Sequence, residues 1–121
     1  MVQYDDPRFS LNTEIIEELK FALGDGLPDL FNLFIQDAPQ RIEAIRQHIE
    51  NLDYAEIRTC GHTLNGGCAT FGATNLSEIC AELSEVCKQG ENKETLLEVL
   101  GRMEEELENV FYSIDLILKD N

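Results

Sequence analysis

Hydrophobic side chains recur along this chain at three- and four-residue steps, the spacing that lines one face of an α-helix. From about Thr13 to Leu23 the stripe is Ile15, Ile16, Leu19 and Leu23, which predicts a short first helix. Gly24-Asp25-Gly26 then breaks the pattern. Pro28 suits the first turn of a second helix, where a backbone N–H would have no intrahelical partner. That helix carries Leu30, Leu33, Phe34, Ala38, Ile42, Ile45 and Ile49. Pro39 falls inside it. An interior proline removes a backbone hydrogen bond and crowds the preceding turn, so a kink is expected there.

Asp53 followed by Glu56 gives a capping-box-like start to a third helix, whose inward positions are Ile57, Gly61 (or Cys60), Leu64, Cys68 and Phe71. Gly72 interrupts it. A fourth helix begins near Thr74, uses Leu76, Ile79, Cys80, Leu83, Val86 and Cys87, and ends with Gly90 at the C′ position. Asn92 can cap a long last helix bearing Leu96, Val99, Leu100, Met103, Leu107, Val110, Phe111, Ile114 and Ile117. Short connections between long amphipathic helices favour antiparallel neighbours. The expected fold is all-α: an antiparallel up-and-down four-helix bundle with a short additional N-terminal helix, in one domain over residues 1–121.

Composition narrows the function. A 43% hydrophobic content supports a packed core rather than disorder. No stretch approaches the roughly 18 consecutive apolar residues of a membrane span. Met1-Val2-Gln3-Tyr4-Asp5-Asp6 lacks the basic and apolar regions of a secretory signal, so the cytoplasm is the expected compartment. With 24 acidic and 9 basic side chains the net charge is −15, which nucleic acid and anionic lipid would repel. Cys60, Cys68, Cys80 and Cys87 show neither a CxxC pair nor metal-ligand spacing and read as small core residues. Glu104-Glu105-Glu106 reads as a solvated helix face.

Helical geometry singles out His62. Successive residues turn by about 100°, so His62 and Gly66 each lie about 200° from the core residue Leu64 and point outward. The neighbours on that face are Ala55, Arg58, Thr59, Asn65, Gly66 and Ala69, most of them small. Glycine inside a helix costs about 0.5–1 kcal/mol relative to alanine. Close packing on the inner side accounts for Gly61; it cannot account for Gly66. Local stability given up beside one exposed imidazole is what a closely approaching partner would require. His48, near the end of the second helix, has the ordinary role of a base at a helix C-terminus.

The segment His62-Thr63-Leu64-Asn65-Gly66-Gly67-Cys68-Ala69-Thr70-Phe71-Gly72-Ala73 resembles the motif of histidine phosphotransfer (HPt) domains. That motif runs histidine, a small or apolar residue, Leu, Lys, Gly and a run of small residues closing on Gly-Ala. The likeness extends to the stretch from Leu30 to Pro39, to Asp53, and to Leu76, Cys80, Leu83 and Gly90. The resemblance implies that His62 takes a phosphoryl group from an aspartate of one response-regulator receiver domain and passes it to another. Receiver domains and a hybrid histidine kinase are then the partners, Mg²⁺ belongs to the receiver, and this chain binds no cofactor or metal. Autonomous kinase activity is not expected, since no Gly-rich phosphate loop is present.

Two positions depart from the family pattern. Asn65 stands where a lysine is usual, and an amide brings hydrogen-bond donors without charge. Ser84 occupies the position nearest to a glutamine found in some members. Arg58, one turn before His62, is the candidate to supply the missing charge. The expected docking face is Thr59, Gly66 and Ala69 with parts of the second and fourth helices, on a monomer. An HPt-like docking module that binds a receiver without transfer is the alternative. A di-metal bundle enzyme needs Glu three residues before each histidine, where this chain has Thr59 and Ile45.

Overall fold

The computed structural model describes residues 5–120. Met1-Val2-Gln3-Tyr4, part of the stretch read for a secretory signal, lies outside the described residues. Five α-helices follow in order: α1 (Thr13–Leu23), α2 (Leu27–Glu50), α3 (Tyr54–Phe71), α4 (Thr74–Lys88) and α5 (Lys93–Lys119), with a 3-10 turn at Gly24–Gly26. Helices α2 to α5 close into a ring, each packed on the next and α5 on α2. Contacts fix the antiparallel sense. Phe34 meets Phe111, Arg46 pairs with Glu104, and Glu50 pairs with Lys93. None of the helices among the described residues is long and apolar enough to cross a membrane.

The helix ends follow from local chemistry. Asn92 accepts from the Thr95 N–H and Asp53 from the Glu56 N–H, each satisfying a first-turn donor. The capping box at Asp53 is one-sided, because its own N–H is taken by the His48 carbonyl. Gly72 and Gly90 both have φ +67° and close α3 and α4 with paired backbone bonds to the preceding turn. Leu52, at φ +51°, does the same for α2 without a glycine's freedom. Gly72 is doubly constrained: a Cβ there would fall 2.5 Å from the Asn12 Cβ.

One apolar core runs through the ring, with Phe31, Ile45, Ile57, Leu64, Leu83 and Met103 among its fully buried members. The inner face of α2 differs from expectation. Leu27 and Phe31 are buried, whereas Leu33 is 65% exposed and Leu30 only half-buried. The run 27, 31, 34, 38, 42, 45, 49 holds one helical face, and Leu33 lies about 100° off it. On α1 only Ile16 is buried; Ile15 and Leu19 are half-buried and Leu23 is exposed. An eleven-residue helix laid on the end of a bundle shields a single strip. Helix α2 continues through an exposed Pro39 to Glu50.

The segment before α1 has no helical period, and its polar groups tie it to α5. The Ser10 N–H donates to Ser113 Oγ at 2.7 Å, the Ser10 hydroxyl donates to Glu106, and Leu11 is buried. Tyr112 donates to Asp6, and Arg8 lies 3.6 Å from the Tyr112 ring centroid. Glu106 is therefore half-buried and hydrogen-bonded rather than solvated, and Glu104 is paired with Arg46. All four cysteines are free thiols; three are buried and Cys60 is half-buried.

Candidate functional site

Helix α3 presents His62 from its middle turns, anchored beneath by Ile57, Gly61, Leu64 and Cys68. The imidazole is exposed, and no hydrogen bond among the described residues holds its ring. The hydroxyls of Thr59 and Thr63 are used within the helix, donating to the carbonyls of Ala55 and Thr59. They do not orient the histidine.

Two shallow concavities share His62. On one side Ala55, Arg58, Thr59 and Thr63 line it together with Ser84 of α4. On the other side the walls are Gly61, Asn65, Cys80, Ser84, Glu85 and Lys88. The structure thus gathers the residues singled out for phosphoryl contact (Asn65, Arg58 and Ser84) around the imidazole. It adds Glu85 and Lys88, which the sequence reading missed. Lys88 stands four residues after Ser84, hence on the same helix face, and that spacing was the available signal.

Asn65 is half-buried, and its side-chain oxygen accepts from the Ser77 hydroxyl. The amide nitrogen is then the end left for a ligand. Ser84 is half-buried with no hydrogen-bond partner among the described residues. The Arg58 guanidinium faces α4 closely enough to offset part of the burial that pushes the Cys87 thiol up. Beneath the site, the neighbouring Cys80 thiol and burial push the Cys68 thiol up.

The docking residues divide. Thr59 lines a His62 concavity, while Gly66 and Ala69 are exposed and line neither one. A Cβ on Gly66 would meet nothing within 4 Å, so this glycine faces open solvent. At Gly61 a Cβ would sit 3.6 Å from Leu83 Cδ2, an ordinary contact. Close packing therefore does not demand a glycine at position 61, contrary to the sequence argument. A separate groove of about 380 Å³ runs between α2 and α3, lined by Leu30, Leu33, Phe34, Gly67, Thr70 and others. Among the described residues no three His, Cys, Asp or Glu side chains are grouped as metal ligands.

A four-helix ring that offers one unrestrained imidazole in an open, donor-lined setting is a group carrier's architecture. The family model of the Hpt domain matches residues 29–111, and the chain belongs to that family, the histidine phosphotransfer modules of two-component phosphorelays. Two solved structures share the fold. Histidine-containing phosphotransfer protein B (HptB) from Pseudomonas aeruginosa PAO1 superposes with a TM-score of 0.80 at 24% identity, covering 91% of this chain and 93% of that one. Histidine-containing phosphotransfer protein ZmHP2 from maize gives 0.74 at 18% identity, covering 96% and 86%. No curated protein sequence matches the chain.

Proposed function

We propose that His62 is the residue that carries the phosphoryl group between receiver-domain aspartates. The observation that carries this reading is the exposed, unrestrained His62 ring shared by two concavities lined with donors and cations. A neutral ring nitrogen is a competent nucleophile near neutral pH. Its lone pair attacks phosphorus, the N–P bond forms as the acyl O–P bond breaks, and the receiver carboxylate leaves with the bonding electrons. The ring keeps its proton on the other nitrogen and becomes cationic. Delivery to the next aspartate reverses each of these changes.

Charge in such a transfer spreads over three phosphoryl oxygens, so catalysis is positioning plus electrostatics. The Asn65 amide nitrogen and the Ser84 hydroxyl donate to those oxygens, and Arg58 brings charge. The receiver contributes Mg²⁺ and most of the remaining groups. This chain itself acts as an intermediate without kinase activity of its own, as a cytoplasmic monomer. The receiver seats on Thr59, Gly66 and Ala69, with exposed Leu33 and the α2–α3 groove extending the apolar contact. A hybrid histidine kinase stands upstream.

The test follows acid-labile, alkali-stable phosphate after mixing the wild type or His62→Gln with a phosphorylated receiver and Mg²⁺. Label on the wild type and none on the variant is expected. Receivers that bind yet transfer nothing would replace this reading with docking alone, to which the engagement of Asn65 by Ser77 lends some support.

A further inference from the structure

The chain has nine lysines and arginines among 24 carboxylates. Six of the nine (Lys20, Arg41, Arg46, Lys93, Arg102 and Lys119) sit in ion pairs. Arg8 lies over the Tyr112 ring. Among the described residues, Arg58 and Lys88 are the two cations left without such a partner, and both line the concavities around His62. Carboxylates hold six of the other seven cations and leave these two open.

Helix geometry separates their roles. Side chains on an α-helix lean toward its N-terminus. Arg58, one turn before His62 on the same helix, lines the concavity on the Thr59 side, whereas Lys88 lines the one that holds Asn65. Helix α4 runs antiparallel to α3, since Gly61 meets Leu83 and Asn65 meets Ser77. Lys88, leaning back toward Ser84, is carried alongside His62. A lysine at position 65 would lean onto the same imidazole from α3. The one carboxylate of that groove, Glu85, makes no ion pair with Lys88 among the described residues.

We propose that Lys88 supplies from α4 the positive charge that the family motif places three residues after the histidine, where this chain has Asn65. The proposal rests on the phosphotransfer reading of His62. As the N–P bond forms, the Lys88 ammonium donates a hydrogen bond to a phosphoryl oxygen. It transfers no proton and forms no covalent bond.

Potassium phosphoramidate, which gives its phosphoryl group to imidazole and releases ammonia, tests this without a partner protein. The wild type, Lys88→Gln, Lys88→Arg and the double variant Lys88→Gln/Asn65→Lys would be labelled at low ionic strength. Phosphohistidine is then titrated by ³¹P NMR. Lys88→Gln should raise the phosphoryl pKa by about half a unit, the size expected for losing one solvated charge at about 5 Å. Lys88→Arg should keep the wild-type value, and Asn65→Lys should restore it in the double variant. Circular dichroism confirms that the variants, all at exposed or half-buried positions, are folded. A labelled Lys88→Gln that titrates as the wild type does would overturn the role of Lys88 alone. A folded wild type that takes no label at His62 would instead overturn the phosphotransfer reading beneath it.

Discussion

Gly66 allows stability and function to be pulled apart in one experiment. A Cβ at this position would meet nothing within 4 Å, and the same is true of Gly101 in α5. Alanine at either site therefore gains intrinsic helix propensity without a clash, about 1 kcal/mol each. In a domain of this size about 1 kcal/mol raises Tm by about 4 °C. Gly66→Ala and Gly101→Ala should shift thermal unfolding equally, because the backbone argument is the same in both helices. Glutamine, nearly as good a helix former, should retain most of the gain at either site.

The two positions should part company in transfer. Gly66 lies one turn beyond His62 on the exposed face of α3, whereas Gly101 lines neither concavity around it. A glutamine at 66 projects into the space where a receiver's backbone would approach. Misplacing the reacting groups by about 1 Å can cost on the order of 100-fold. Phosphoryl transfer from a phosphorylated receiver, followed by quenched flow, should therefore fall by at least about tenfold in Gly66→Gln and stay unchanged in Gly101→Gln. Wild-type transfer in a folded Gly66→Gln would refute the argument that this glycine is kept open for a partner.

Three further outcomes test the framework. Gly90→Ala should cost about 1 kcal/mol for placing a side chain at positive φ, and Gly72→Ala about 2–4 kcal/mol because its Cβ also strikes Asn12. Equal losses in urea denaturation would mean that the segment before α1, which carries Asn12, yields freely. Leu52→Gly should stabilise by about 0.5–1 kcal/mol, since it relieves a left-handed backbone at a partly exposed site; a loss would show that Leu52 packs for a purpose. The Tyr112 hydroxyl, then the Arg8 N–H, hold the Asp6 carboxyl below its usual value of 3.8. A depressed folded pKa gives stabilisation that is complete above the unfolded value and is lost as pH falls through the folded one. Acidification below that range should loosen the segment before α1, seen in the Ser10 and Ser113 amide NMR signals, and Tyr112→Phe, which removes the largest of these contributions, should weaken the effect.

Much of this was readable because it rests on local rules. Asn92, Asp53, Gly72 and Gly90 mark helix ends through the hydrogen bonds their own side chains or φ angles permit. The face of α2 was less readable at its start: Leu27, Leu30, Phe31, Leu33, Phe34 and Ile35 offer apolar groups all round the first turns. Only packing against Phe71 decides that Phe31 goes in and Leu33 stays out. The segment before α1 escaped because polar contacts such as Ser10 with Ser113 leave no period in the sequence. Lys88 escaped for a related reason. Its spacing from Ser84 puts both on one face of α4, but that this face meets His62 depends on the register between α3 and α4, which no single helix encodes.

An acidic chain is not thereby a poor host for a phosphoryl dianion. At physiological salt the Debye length is about 8 Å, so a phosphoryl group on His62 would respond to neighbouring side chains far more than to a net charge of −15. Its neighbours in the two concavities are Arg58, Lys88 and a single carboxylate, Glu85. Six of the other cations sit in ion pairs and Arg8 lies over the Tyr112 ring, whereas these two have no such partner among the described residues. The two scales of charge can therefore act separately. An acidic exterior would disfavour nucleic acid and other polyanions and favour a basic partner surface. On the proposed reading, the small cationic setting around one imidazole would act once that partner had delivered its phosphoryl group. Adding salt would then slow encounter before it weakened the contact between Lys88 and the phosphoryl oxygens, because the first interaction spans several Debye lengths and the second less than one.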